Sequence, residues 1–192
     1  MGKTIVTTSH RPTPRTRSLL KDLVAIIPNS IRITRGKATL ELLALEALDI
    51  GADRILVIRN WKGNPRYIDL YMVTPLSRGA TKICTLILCG YKLTREGTKK
   101  NPARQPSALI IPVSTVVSAK IPEELMECLV QCLRAQVSSD EEICTEAENV
   151  LIVDVSERRS NVFEVSFRDC KGDRYGPVLR VCGAKMVSTG QG

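Results

Sequence analysis

The sequence predicts a mixed α/β (α+β) fold in one domain, open to division into two similar halves. Three observations lead there. Stretches with strand alternation are interleaved with helical periodicity along the whole chain. Both signals recur on either side of a polar middle segment, about three helices and, beside a short SIRIT stretch, seven or eight strands in total. The length, 192 residues with 43% hydrophobic and 25% charged, suits one large domain with a real core.

TIVTT (4–8) is β-branched and reads as the first strand. Thr13 then offers an N-cap and Pro14 a first helical residue, opening a helix over 14–27 that Pro28 ends. Leu19, Leu20, Leu23, Val24, Ile26 and Ile27 form its buried face, with Arg17 and Lys21 on the opposite edge. SIRIT (30–34) is a short strand. A second helix over 39–50 is apolar nearly all round, so burial is expected, and Gly51 suits its C-terminal cap. ILVI (55–58) reads as a central strand, Lys62-Gly63-Asn64-Pro65 as a turn, and 67–73 and 82–90 as further strands. Residues 92–106 are polar and basic and read as a flexible loop between halves 1–91 and 107–186. ALIIPV (108–113) is a strand. A third helix runs from Pro122 to about Val137, burying Leu125, Cys128, Leu129, Cys132 and Leu133 and exposing Glu124, Glu127, Gln131 and Arg134. The acidic stretch 137–148 is exposed or a short helical turn. Strands come next over 150–155, 162–168 and 178–182, and 187–192 read as a disordered tail.

Charge is distributed unevenly. The net charge is +8, yet the first 40 residues hold eight Lys and Arg against one acid, Asp22, while 121–157 hold ten acids and one base. A basic block on an ordered scaffold is the footprint of a polyanion binder. Arg11, Arg15, Arg17 and Lys21 surround one helix N-terminus, and Arg32, Arg35 and Lys37 lie at the next strand-to-helix junction. Free N–H groups and the helix dipole favour anions there, and phosphate is the natural ligand. No glycine-rich cradle for a small nucleotide is present, so a nucleic-acid backbone is the better candidate. Aromatics are only 4%, which argues against stacking on many bases.

Other chemistry finds little support. There is no GxxxxGK[ST], GxGxxG or GxSxG motif. Ser9 and the single histidine, His10, are strand neighbours that point to opposite faces, poor geometry for a nucleophile and its base. Asp22, the one acid in the basic block, is expected in local ion pairs. The seven cysteines lack zinc-ligand spacing and read as small core residues in a reducing compartment, although spacing does not decide whether any of them pair. No metal or cofactor is expected. No apolar run approaches the roughly 20 residues a membrane helix needs, and no secretory signal is seen.

The opening run, IVTTSHRPTPRTRSLLKDLVAIIPNSIRITRGKATLELLALEALDIGADRILVI, resembles the start of the Brix domain of ribosome-biogenesis proteins. The matching pieces are TTS-x-R-P-x-x-R-T-R, K-D-L, I-P-N-S before a basic strand, R-G-K before a helix, and G-A-D-R before an apolar strand. Phe163 to Arg168 with Gly176-Pro177 resembles the family's C-terminal strands, whereas 92–148 departs from the eukaryotic pattern. The bare domain is similar to the archaeal form, closest to the branch acting in small-subunit rRNA processing. The resemblance implies a single Brix domain over 1–192, its two halves each similar to the anticodon-binding domain of class IIa aminoacyl-tRNA synthetases. It implies a non-enzymatic rRNA-binding factor that assists pre-rRNA processing and subunit assembly. Its partners would be ribosomal RNA or pre-rRNA and ribosomal or other assembly-factor proteins, with no membrane and no small-molecule substrate. The location would be cytoplasmic in an archaeon, nucleolar in a eukaryote. The RNA surface would be Arg11, Arg15, Arg17, Lys21, Arg32, Arg35 and Lys37, stiffened by Pro12 and Pro14. The competing reading is a protein-interaction scaffold, docking a basic protein on the acidic 121–157 face, with incidental RNA contact.

Overall fold

Strand alternation along the chain resolves into one ten-stranded sheet in a computed structural model that describes residues 2–75, 79–97, 100–139 and 149–187. In chain order the first half contributes β1 (Lys3–Thr8), α1 (Pro14–Ile26), β2 (Ser30–Arg32), α2 (Leu40–Asp49), β3 (Ala52–Trp61), β4 (Asn64–Thr74) and β5 (Gly79–Lys92). The second contributes β6 (Ala108–Pro112), α3 (Val113–Ser118), α4 (Glu123–Leu133), β7 (Ala135–Ser138), β8 (Val150–Arg159), β9 (Val162–Arg168) and β10 (Arg174–Met186). The spatial order is β2-β1-β3-β4-β5-β10-β9-β8-β6-β7. Each half repeats one plan. Its first strand is parallel to the two beside it, and an antiparallel meander then leads inward. The innermost strands, β5 and β10, pair antiparallel and fuse the halves into one sheet.

Alternation decides which helix covers which face. Val6, Leu56 and Ile58 point to the side where α1 buries Leu19, Leu20, Leu23 and Ile26. Ile5, Ile55 and Val57 point to the other side and meet Leu43, Ala44 and Ala47 of α2. The α1 face is a single core for both halves, because α4 adds Leu125, Cys128, Leu129, Cys132 and Leu133 to the same cluster. The helix of 14–27 is thus observed as α1 with Ile27 as its C-cap, and Thr13 accepts from Thr16 N as the N-cap.

Several expectations are corrected. The third helix stops at Leu133, not Val137. Arg134 takes a left-handed conformation, φ 53°, and turns the chain into β7, which pairs with β6. Arg134 is buried rather than exposed. Its Nε donates to Thr4 Oγ1 at 2.7 Å and its Nη2 pairs with Asp53 of the first half. Sheet pairing and this cross-half anchor outweigh the helical periodicity of 134–137. Val113, expected to end the ALIIPV strand, instead opens the short helix α3 directly after Pro112. The second helix is covered on one side only, so Leu42 and Leu45 are exposed at 56% and 45%. Asp22 makes no ion pair among the described residues. It is buried, and its Oδ2 accepts from Thr94 N at 2.9 Å.

That bond also ties down the polar segment 92–106. Thr94–Glu96 is a 3₁₀ turn, and Lys100 O accepts from Gly176 N at 3.0 Å. Gln105 Nε2 donates to Val24 O and Ser30 O, both at 2.7 Å. The acidic residues 140–148 and the tail residues 188–192 lie outside the described residues, as do Thr98 and Lys99.

The cysteines are only partly core thiols. Cys84 of β5 and Cys128 of α4 are buried and joined by a disulfide, and Cys132 Sγ sits 3.8 Å from Cys84 Sγ. With two of these three sulfurs bonded to each other, one thiol is left, which makes no zinc set. Burial pushes that Cys132 thiol far up, so it stays protonated. Cys89 and Cys170 are exposed, and Cys170 is also disulfide-bonded. Cys144 lies outside the described residues.

Candidate nucleic-acid interface

The two basic junctions open side by side. β1 and β2 are parallel neighbours, pairing Thr4 with Ser30 and Val6 with Arg32, so the loops that leave their C-terminal ends, 9–13 and 33–39, share one edge of the sheet. His10 Nδ1 and Gly36 O meet at 3.0 Å and join the loops directly. Each loop delivers a helix N-terminus. Thr13 caps α1, and Thr39 caps α2 by accepting from Leu42 N. Both N-termini carry hydroxyl caps, which leaves further N–H groups of each first turn open to solvent or an anion.

The seven cations behave differently from one another. Arg11, Arg17, Lys21, Arg32 and Lys37 are exposed and make no ion pair among the described residues. Arg11 adopts φ 54°, so the chain turns sharply there. Arg35 is half-buried, and its Nε closes the 35–38 turn by donating to Ala38 O at 2.9 Å. Arg15 is engaged elsewhere. It pairs with Glu96 at 2.8 Å, its Nε donates to Tyr91 OH at 2.7 Å, and its guanidinium lies 5.1 Å from the centre of that ring. The hydrogen bond to Tyr91, followed by that to Glu96, raises its already high pKa. Arg15 therefore lines a groove beside the β3–β4 hairpin and leaves the junction surface to the other cations.

Sequence reasoning missed that groove. Its walls include Arg15, Trp61, Asn64, Arg66, Tyr67 and Tyr91, and its volume is about 700 Å³. The available signal was the position of Trp61, the chain's one tryptophan, directly before the Lys62-Gly63 turn. A strand residue at a hairpin tip has little sheet to cover it.

On the sheet face away from α1, Asp69 is almost fully buried beneath Arg59 and Lys82. Burial pushes its carboxyl up. Hydrogen bonds from Arg59, Lys82 and Thr85 more than offset this and hold it below the usual carboxylate range. The arrangement is a structural ion cluster. His10 takes no part in it; its Nδ1 meets the Gly36 carbonyl in the loop after β2.

Comparison with known proteins adds the family. No protein-family model matches the chain. A probable Brix domain-containing ribosomal biogenesis protein of Aeropyrum pernix is 33% identical over 187 residues, 97% of this chain and 99% of that protein. The chain belongs to the Brix domain-containing ribosomal biogenesis proteins. The relative of the same description from Pyrococcus horikoshii is 47% identical over 109 residues, 56% of this chain and 48% of that protein, so the match spans about half of the relative's length. The crystal structure of the probable ribosomal biogenesis protein from Aeropyrum pernix K1 superposes with TM-score 0.81 at 34% identity, over 98% of this chain and 100% of that one. Mil, an archaeal Imp4-like protein, shares the fold at TM-score 0.65 and 21% identity, over 95% of this chain and 99% of that one. The Brix family anticipated from the opening residues and the mixed α/β fold anticipated from the strand and helix pattern are both observed.

Proposed function

We propose that this Brix protein is a non-catalytic, cytoplasmic assembly factor that binds ribosomal RNA or its precursor through the paired strand-to-helix junctions. The observation that carries the reading is the shared edge of β1 and β2. Two helix N-termini open there together with Arg11, Arg17, Lys21, Arg32 and Lys37, cations without an ion pair among the described residues. Such a surface contacts phosphates and carries no base information by itself, so it positions RNA. Rigid strand ends and prolines lower the entropy lost on binding. Ribosomal or other assembly-factor proteins are partners in this reading, and Glu123, Glu124 and Glu127 on the exposed side of α4 are an acidic face for a basic one.

The test is the salt dependence of binding to a single-stranded rRNA fragment. If about four cations neutralise phosphates, log affinity falls with log salt at a slope near −3, from about −0.7 per contact. Arg17→Ala with Lys21→Ala removes about 1.4 from that slope and weakens binding to unrelated sequences alike. A control pair away from the junctions, Lys171→Ala with Lys185→Ala, leaves the slope unchanged. Equal losses from both pairs would mean diffuse charge attraction and no site.

A further inference from the structure

Trp61 is 58% exposed at the end of β3. The buried residues of the strand, Ala52 and Ile55 to Ile58, lie further back, so the core does not enclose Trp61. Its position is nonetheless rigid. Lys62 and Gly63 have φ of 48° and 83°, the conformation of a two-residue hairpin turn matched to strand twist, and Trp61 pairs directly with Asn64.

The groove around it has a consistent chemistry. Arg15 stacks over Tyr91, and Tyr91 OH donates to Asn64 Oδ1 at 3.2 Å, so these walls hold one another in place. Arg66 is anchored through Nη1 to Leu88 O at 2.6 Å. Arg59 lies 4.6 Å from the centre of the Tyr67 ring. Two arginines and three aromatics line the groove; Glu96 neutralises Arg15 at its edge, and Arg66 makes no ion pair among the described residues. Cys89 also borders a second cavity lined by Arg158, Arg159 and Arg180, where Arg158 and Arg180 share Glu164 at 2.8 and 3.4 Å and Arg159 makes no ion pair among the described residues. A flat apolar ring at one point and cations leading away from it are what an unpaired nucleotide requires: a surface for the base and counter-charges for the phosphates on either side. An apolar peptide would leave Arg66 and Arg159 without a counter-charge.

We propose that this groove binds an unpaired RNA nucleotide, its base against Trp61 and its flanking phosphates directed to Arg66 and to Arg159, the cations there that no carboxylate pairs among the described residues. The proposal rests on the RNA-binding reading and adds to it a base-dependent contact that the junction surface lacks. It also revises the expectation from composition: few aromatics are present, but one exposed ring suffices for one base.

Because the chain has one tryptophan, its fluorescence reports this groove alone. The full chain is titrated with an unstructured RNA oligonucleotide, an abasic ribose-phosphate strand of equal length, and a duplex. The base-bearing single strand is expected to quench Trp61 and to bind roughly fivefold to a hundredfold more tightly than the abasic strand. The other two ligands leave the fluorescence unchanged. Trp61→Ala, an exposed position, abolishes the preference for bases without changing abasic binding, and Trp61→Phe retains part of it. Equal affinity for both strands with silent fluorescence, or equal quenching by the duplex, overturns the groove and leaves the junction reading intact. Absence of binding to any of the three ligands overturns both.

Discussion

Gly176 of β10 packs closely against α1. Its φ is +62°, and a Cβ built there would lie 2.6 Å from Ile26 Cγ2. Ile26 is fully buried in α1, so it has little freedom to yield. Gly176→Ala would meet two costs. The left-handed backbone costs an alanine about 1–2 kcal/mol, and overpacking a filled core costs about 1–3 kcal/mol. The stiffer unfolded chain returns about 0.4–1 kcal/mol. The net loss is about 1–4.5 kcal/mol, to be read from urea unfolding with an unchanged denaturant slope. A double-mutant cycle isolates the clash. Ile26→Ala alone opens a cavity, but in the double variant the Cγ2 contact is gone, so the combined loss falls short of the sum by about 1–3 kcal/mol. A Gly176→Ala protein within about 0.5 kcal/mol of the parent, with additive double-mutant energies, would refute the close packing of α1 on β10.

The core and the sheet face each carry a further expected outcome. Reducing the Cys84–Cys128 disulfide, which closes a sequence separation of 44, should lower stability by about 4 kcal/mol on the loop-entropy model. Unfolding curves that coincide with and without reductant would show that the pair is not oxidised. Asp69 is held below its ordinary pKa, so its ionised form stabilises the fold above about pH 4 and that contribution is lost as pH falls through the depressed value. Asp69→Asn should therefore cost about 1–3 kcal/mol at neutral pH and flatten the acid limb of the stability profile. A parallel shift of the whole profile would contradict this.

The first half was largely legible in the sequence because its signals are local. Thr13 and Pro14 mark a helix start by their own chemistry, and the buried face of α1 comes from spacing alone. Arg134 was misplaced because its conformation is decided by Thr4 and Asp53, more than 80 residues away. Asp22 was misread for the same reason: its partner, Thr94, is distant in sequence. α3 was hidden by β-branched residues whose helix begins directly at the end of β6. For the interface, spacing identified the cations, but not that Arg15 is drawn to Tyr91 and Glu96 while Arg17 and Lys21 stay outside any ion pair among the described residues. The Trp61 groove is assembled from α1, β3, β4 and β5, so no contiguous motif records it.

The most direct test of the account is ultraviolet crosslinking in cells, with both the bound RNA and the crosslinked peptides sequenced. Ribosomal RNA or its precursor is expected, joined through residues 9–21 and 30–37 and, where a base is held, through Trp61. Recovery of a stoichiometric protein complex that survives ribonuclease, with no enrichment of ribosomal RNA, would contradict it.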